Sequence, residues 1–246
     1  MEQLDILVKE ARDLDRLGRT IRFIPFVKTQ PTPSLKHEET VCVAGVALDP
    51  LRWVRLYPIR LSVFRDERSF KKYECIDIAV SRPRNDLREE SLRITSDPIV
   101  SGELIQGWNR RSELIAELPS PSLCELQAAI ANNPEGQSLA AIEINTRPQL
   151  HVTHNEGWSK SQEKAIDKWA QDDLFGHRAT RPTPTKYRIY LSFTCTDPNC
   201  KGHRLSLIDW EAGALERGLR EPTIEYAQQE FQKKYVDQKF KAGKIT

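Results

Sequence analysis

"RWVRLYPIR", residues 52–60, alternates aliphatic side chains with aromatic and cationic ones. Side chains on a β-strand point alternately to opposite faces, so Val54 and Leu56 share one face. Trp53, Arg55 and Tyr57 then share the other. The aliphatic face predicts a strand that covers a hydrophobic core. The second face has two interpretations: an exposed platform that stacks on a ligand, or a face buried by the barrel itself or by a covering helix.

The neighbouring sequence extends the β pattern on both sides of this stretch. Short apolar or alternating runs occur at 21–28, 40–48 and 75–80, and turn residues separate them. Several short strands at such spacing predict a small barrel or sandwich. Before them, Leu4, Leu7, Ala11 and Leu14 recur at helical spacing and Gly18 follows, which predicts an amphipathic N-terminal helix that ends at this glycine.

The second half of the chain alternates between helical and β patterns. Helices are expected over 103–118, 122–133, 159–175 and from Pro222 onward, and strands over 138–144 and 149–154. Two cleanly alternating runs, 186–195 and 203–210, flank a tight turn and predict a hairpin. The predicted segments are 1–35 (N-terminal helix, strand and linker), 36–100 (first barrel), 101–135 (helical insert), 136–216 (second β region with the hairpin) and 217–246 (C-terminal helix and basic tail).

Composition favours an intracellular globular protein. The 246 residues include 39% hydrophobic and 29% charged residues, and the formal net charge is only +2. Basic residues outnumber acidic ones by eleven to seven between Arg52 and Arg93, a mild excess that solvated surfaces also show. No apolar run of about 18 residues is present, so neither a membrane partner nor a signal segment is expected, and the predicted location is cytoplasmic.

Three metal-ligating side chains lie close together at the turn of the predicted hairpin. Cys195, Cys200 and His203 have the spacing C-x4-C-x2-H, and thiolates and imidazoles are the ligands that zinc prefers. Zinc is therefore the expected cofactor, although two turn cysteines beside a surface histidine would also explain the pattern. A fourth ligand must come from elsewhere, and the candidates are His151, His154, His177 and Cys75. Cys42, Cys75 and Cys124 lie at apolar positions and are interpreted as buried core thiols.

No catalytic motif is evident in the sequence. A G-x-S-x-G elbow and a G-x-G-x-x-G loop are both missing, and "GALERGLR" from Gly213 lacks the Lys-Ser/Thr pair of a phosphate loop. Asp86, Arg88 and Glu90 are better explained by an ion-pair network than by a metal-dependent active site. The chain is therefore expected not to be an enzyme.

Several elements resemble a bacterial family described as the dual OB-containing domain. They are Gly45, the run Trp53 to Ile59, the run Phe70 to Tyr73, and Asp86, Arg88, Glu90 and Ser91, with further similarity in "GWNRRSELIAEL" and "FTCTDPNCKGHRLSLIDWE". The likeness spans residues 38–215. It implies an α+β fold of two small OB-like β-barrels with helical insertions, plus N- and C-terminal helices. OB barrels most often bind single-stranded nucleic acid or oligosaccharide, and sometimes protein.

The leading hypothesis is a nucleic-acid-binding accessory or recognition subunit. Its expected partners are DNA, single-stranded in the first instance, and a larger catalytic protein such as a helicase or nuclease, in bacterial anti-phage defence or genome maintenance. The alternatives are a protein-interaction or assembly subunit and a metal-dependent hydrolase. Aromatic side chains would stack on the bases of the DNA and basic side chains would contact its phosphates. The predicted contact residues are Trp53, Arg55, Tyr57, Arg60, Lys71, Lys72, Arg82, Arg84 and Arg88.

Overall fold

The computed structural model describes residues 2–36, 38–64, 69–96, 99–172 and 181–240. Its α-helices are α1 (Glu2–Leu17), α2 (Trp108–Ala116), α3 (Leu123–Asn132), α4 (Lys160–Asp172), α5 (Trp210–Arg217) and α6 (Ile224–Gln232). Its strands are β1 (Arg19–Lys28), β2 (Thr32–Ser34), β3 (Glu38–Leu48), β4 (Leu51–Arg60), β5 (Glu74–Ser81), β6 (Ser91–Ile94), β7 (Ile99–Leu104), β8 (Gln149–His154), β9 (Tyr187–Phe193) and β10 (His203–Ser206).

Five strands of the first half close into a barrel. β1 pairs with both β3 and β5, β3 pairs with β4, and β6 joins β4 in parallel and β5 in antiparallel fashion. Numbered in chain order as barrel strands, the ring runs 1-2-3-5-4 and returns to 1. This closed five-stranded arrangement is that of an OB-like barrel. The α+β class with an OB-like barrel and flanking helices is thus confirmed.

The barrel interior is filled as the alternation predicts. Val54 and Leu56 of β4 are fully buried beside Val41 and Val43 of β3, because the inward face of each strand carries aliphatic side chains. A 3-10 turn, Leu61–Phe64, packs against this cluster from one end. The cluster consists of Ile21, Phe23, Val41, Val43, Ala47, Val54, Leu56, Ile59, Phe70, Ile76, Ile78, Val80 and Leu92.

Gly45 lies at a point of close approach between β1 and β3. It lies opposite Pro25, and a Cβ built on it would lie 2.1 Å from the carbonyl oxygen of Ile24. We expect Gly45→Ala to destabilise the protein by at least about 1–3 kcal/mol, because backbone must move to admit the methyl group. Urea unfolding measures this effect.

Gly213→Ala is the matched control. A Cβ at this α5 position would meet Arg217 Nη1 at 3.4 Å, an ordinary contact. Removing a helical glycine should then stabilise the protein by about 0.5–1 kcal/mol. Equal unfolding midpoints for the two variants would contradict the close approach at Gly45.

The N-terminal helix α1 packs against the barrel in an unexpected orientation. Gly18 ends it as predicted, with a φ of 86°. Of the predicted apolar positions, Ala11 is buried while Leu7 and Leu14 are exposed. The reason is that the helix is held by Asp15, whose buried carboxylate accepts hydrogen bonds from Arg19 and Arg52.

The second half is built around a three-stranded antiparallel sheet in the order β10-β9-β8. The predicted hairpin is confirmed as β9 and β10, and α6 packs on the sheet after an N-cap at Thr223. A π-helical turn, Lys233–Asp237, follows α6. The sheet and helices enclose a second core, which contains Leu150, Val152, Tyr187, Ile189, Ala212, Ala227, Phe231, Tyr235 and Val236.

Three sequence predictions in this half are wrong in detail. Residues 138–144 lie in an extended connection with one bridge, Ile144 to Cys195, instead of a strand. The helix expected over 103–118 begins only at Trp108, since β7 continues to Leu104 to pair with β5. The strand expected to reach Trp210 ends at Ser206, and α5 begins after the side chain of Asp209 caps its N-terminus.

Candidate nucleic-acid interface and metal centre

Trp53 lies beneath the helical insert. It is 8% exposed and packs in a third apolar cluster on the outer side of the barrel with Phe26, Val46, Ile105 and Leu118. Its ring meets that of Phe26 edge-on, with centroids 6.2 Å apart. Of the two interpretations of its face, the covered one describes Trp53, whose burial leaves no ring surface for a base.

Arg55 is held at the same outer face by hydrogen bonds. Its guanidinium donates to Asp86 Oδ2 at 2.7 Å, to Cys42 Sγ at 3.1 Å and to Ser91 Oγ at 3.3 Å, and it lies over the ring of Tyr57 at 5.0 Å. The same carboxylate accepts two bonds from Arg88. Two arginines therefore share Asp86, and the buried carboxylate of Glu90, which accepts hydrogen bonds from Ser138, supplies a second negative charge close to them.

The other predicted cations are dispersed. Lys72 binds Asp209 and Glu211, and Arg82 donates to four backbone carbonyls between Leu87 and Ser91, which orders the loop that joins β5 to β6. Arg60, Lys71 and Arg84 are exposed. The structure thus brings only Arg55, Tyr57 and Arg88 together and gives Lys72 and Arg82 internal partners.

A cleft of about 990 Å³ opens over the outer face of β3 and β4. On the barrel side it is lined by Cys42, Ala44 and Arg55 and by residues 29–32 of the loop after β1. The opposing wall comes from the second half of the chain. Its polar and aromatic lining residues are Asn155, Trp158, Gln162, Arg188, Trp210 and Arg217.

The lining of this cleft is electropositive. Arg55, Arg88, Arg188 and Arg217 contribute four cations, whereas Glu39 is the sole carboxylate among the described lining residues. Arg188 donates to Asn155 Oδ1 at 3.0 Å, and no described carboxylate lies within salt-bridge distance of Arg188 or Arg217. Low-dielectric walls of one charge sign concentrate counter-ions, so the cleft is suited to an anion.

Sequence reasoning missed the opposing wall. Arg188 occupies an outward position in the alternating run 186–195, which is the only sequence signal for it. Trp158 and Arg217 belong to no periodic sequence pattern. Their position in the cleft depends on how the two halves of the chain pack together, which a local pattern does not encode.

A polar network holds the two walls together. Lys72 Nζ lies 2.9 Å from Asp209 Oδ2 and 2.7 Å from Glu211 Oε2. Burial opposes the charge of Lys72, but these hydrogen bonds outweigh burial and raise its pKa above the ordinary value. Nearby, burial lowers the pKa of Lys28 to about 8, and its ammonium lies over the ring of Phe64.

Cys124, Cys195, Cys200 and His203 form a compact cluster that could hold a metal ion. Their ligand atoms all lie within 4.8 Å of one another. The Cys195 and Cys124 sulfurs are 3.7 Å apart, and His203 Nε2 is 3.4 Å from each of them. Tetrahedral zinc with Zn–S bonds of about 2.3 Å places its sulfurs about 3.8 Å apart. The observed spacing therefore fits a tetrahedral metal site made of three cysteines and one histidine.

The fourth member, Cys124, corrects the sequence prediction. It lies near the start of α3, where Ser122 and Glu125 form a capping box that fixes the first turn. Of the predicted fourth ligands, His151 and His154 are exposed on β8 and Cys75 is buried under the insert, while His177 lies outside the described residues. Cys124 is thus a cluster member rather than a core thiol.

The close packing of the thiols gives Cys124 and Cys195 very different pKa values. Burial and hydrogen bonding with Cys195 and Cys200 raise the pKa of Cys124 to about 12. Burial also opposes ionisation of Cys195, but hydrogen bonds from the backbone of Asp197 and from its neighbours lower its pKa to about 6. Deprotonated sulfur is the form that binds metal.

The architecture thus defines an OB-like barrel joined to a second domain across an electropositive cleft. Two family models match adjacent parts of the chain: a domain of unknown function, DUF8758, matches residues 19–117, and another, DUF8757, matches residues 119–246. The second match covers more than half of the chain, so the chain belongs to the DUF8757 family. The adjacent matches agree with a two-domain arrangement.

The chain is also similar to a solved structure described as "Structure and Conformational Change of a Replication Protein A Heterotrimer Bound to ssDNA", with a TM-score of 0.32 and 10% identity. The match covers 85% of this chain and spans only 42% of that chain's length. No curated protein matches. Among the described helices, none is both long and apolar enough to cross a membrane.

Proposed function

We propose that the chain is a nucleic-acid-binding accessory subunit and that it holds single-stranded DNA in the cleft over β3 and β4. One observation carries this proposal: the cleft lies on the outer face of the second and third barrel strands, and four arginines line it against one described carboxylate. This is the face with which OB barrels bind oligonucleotides, together with the loops after the first and fourth strands. Both loops contribute here, through Thr29 to Thr32 and through Arg88.

Different lining residues would contact different parts of the DNA. Arg188 and Arg217, which have no described carboxylate partner, contact backbone phosphates. Trp158 offers a half-buried ring whose Nε1 donates to the carbonyl of Pro182 at 3.0 Å, so the ring is fixed before a base stacks on it. Arg55 and Arg88 add hydrogen-bond donors at the barrel wall, where Asp86 holds both guanidiniums in place.

The Cys₃His cluster supports a structural zinc ion as the cofactor. Its four side chains would fill all four coordination positions of a bound ion, and closed sites of this kind hold a fold together instead of activating water. The ion would join α3 to the β9–β10 hairpin. This ligand set favours a zinc-stabilised binding module over the metal-dependent hydrolase.

A second candidate function is that of a protein-assembly subunit. It is favoured by α1, which turns Ile6, Leu7, Leu14 and Leu17 towards solvent, with Leu17 85% exposed. Contiguous exposed apolar side chains often mark contact surfaces. In the leading proposal the same helix would contact a catalytic partner such as a helicase or nuclease, in anti-phage defence or genome maintenance, as the resemblance to the dual OB-containing family suggests.

Oligonucleotide binding across a salt series tests the cleft. We expect Arg188→Ala/Arg217→Ala to bind a fluorescent oligothymidylate more weakly and to flatten the slope of log K against log salt by about 1.4, at about 0.7 per phosphate contact with single strands. Fluorescence anisotropy gives both quantities.

Arg22→Ala/Arg147→Ala is the matched control, because both arginines are exposed, paired with carboxylates and absent from the lining of the cleft. It should retain the wild-type slope. Identical slopes for the two double variants would refute the cleft as the interface, and a wild-type protein that binds no oligonucleotide would favour the assembly subunit.

A further inference from the structure

A second, smaller pocket lies at the ends of the parallel strands β4 and β6. Its volume is about 470 Å³, and Arg60 and Arg93 contribute its charged side chains. No carboxylate occurs among its described lining residues, and no described carboxylate lies within salt-bridge distance of either arginine. The remaining lining residues are Pro58, Val63, Ile94, Thr95 and Ser96.

These two arginines contrast with those that build the fold. Arg52, Arg55, Arg82 and Arg111 all donate to carboxylates or backbone carbonyls in part-buried or buried bonds. Arg60 and Arg93, by contrast, are exposed. They come from adjacent strands and line the same pocket. Two guanidiniums that have no carboxylate partner among the described residues lie beside the Thr95 hydroxyl and provide the donors that a phosphate group requires.

The pocket lies next to the cleft, on the other side of a short turn. The 3-10 turn separates them: Leu61 and Phe64 line the cleft, while Val63 lines the pocket. In the parallel register Arg55 faces Ser91 and Leu56 faces Leu92, so Tyr57 and Arg93 follow side by side. Arg60 lies about 17 Å along β4 from Arg55, at about 3.3 Å per residue.

We propose that the Arg60–Arg93 pocket is a second anion subsite. It binds a backbone phosphodiester of the single-stranded DNA at the point where the DNA leaves the cleft. This inference rests on the proposed function for its ligand. The outer face of β4 and β6 then forms a track from Arg55 past Tyr57 to the two arginines. A short strand fills the cleft alone, whereas a longer one reaches both sites.

The test compares two lengths of oligothymidylate, about 4 and about 16 nucleotides, which bracket the usual site size of an OB fold. Arg60→Ala/Arg93→Ala should weaken binding of the longer strand roughly ten-fold and flatten its salt slope by about 1.4, while the short strand binds as before. Arg60→Lys/Arg93→Lys keeps both charges and should retain most of the affinity, and thermal melting confirms that both variants fold.

The outcomes separate this inference from the proposed function. Unchanged binding of the longer strand by the alanine variant overturns the subsite and leaves the cleft intact. If the wild-type protein binds neither strand, the proposed function fails, and calorimetry with inorganic tripolyphosphate decides the subsite: binding that the alanine variant abolishes supports an anion site, and no binding overturns it.

A terminal phosphate is the other source of the same chemistry. Strands with and without a 5′-phosphate should bind equally if the subsite holds an internal phosphodiester. A preference for the phosphorylated short strand that Arg60→Ala/Arg93→Ala removes would overturn the phosphodiester assignment.

Discussion

Removal of zinc by a chelator is expected to lower the melting temperature by about 10–20 °C, with loss of structure concentrated in residues 119–246. Structural zinc contributes about 10–16 kcal/mol in small domains, comparable with the whole stability of a typical domain, about 5–15 kcal/mol. The second half also has an apolar core of its own, so we expect only about 5 kcal/mol to be lost, at about 2–4 °C per kcal/mol. Circular dichroism melts with and without chelator give the shift.

The zinc content of cysteine variants identifies which side chains bind the metal. The purified protein should contain one zinc per chain by elemental analysis, and Cys124→Ser should lose it, although this cysteine is 71 residues from Cys195 in sequence. Cys42→Ala is the control, because Cys42 lies in the cleft beside Arg55 and outside the cluster. Zinc bound equally tightly by the Cys124→Ser protein, or an absence of zinc from the wild type, would contradict the Cys₃His assignment.

Asp15→Ala is expected to cost about 3–5 kcal/mol of the free energy of unfolding. The Asp15 carboxylate is fully buried and accepts hydrogen bonds from Arg52 Nη2 at 2.7 Å and Arg19 Nε at 2.8 Å. Arg52 is itself only 5% exposed. The large cost arises because the substitution leaves a buried guanidinium without a counter-charge. Urea unfolding followed by tryptophan fluorescence measures it.

Asp13→Ala provides the comparison for Asp15. Asp13 is on the same helix but exposed, and its contact with Arg16 is 3.6 Å long. Exposed pairs of this kind contribute about 0–1 kcal/mol, so this variant should unfold near the wild-type midpoint. If Asp15→Ala is no more destabilising than Asp13→Ala, the buried pair does not anchor α1.

The barrel could be predicted because its strands carry their own signal. Inward aliphatic residues such as Val54 and Leu56 alternate with outward ones, and this pattern depends only on local geometry. The function of the outward face could not be predicted in the same way. An exposed strand face and one covered by a helix have the same period, so Trp53 was equally compatible with a stacking platform and with the core that α2 closes.

The metal cluster shows a second limit. Cys195, Cys200 and His203 are neighbours in sequence, and the hairpin that joins them is locally determined. Cys124 joins them only through the packing of α3 on the hairpin, and its position in a helical, partly apolar run favoured a core thiol. Long-range contacts of this kind, like the meeting of Arg188 with the barrel face, have no counterpart in a single sequence.

The cleft has a consequence for how the two halves evolve. One wall lies within residues 19–117 and the other within residues 119–246. A recombination event that transferred the barrel alone would remove the wall that faces Cys42 and Ala44 and would separate Arg55 from Arg188. Each domain carries only one wall of the cleft, so a binding site of this kind exists only where the two domains occur together.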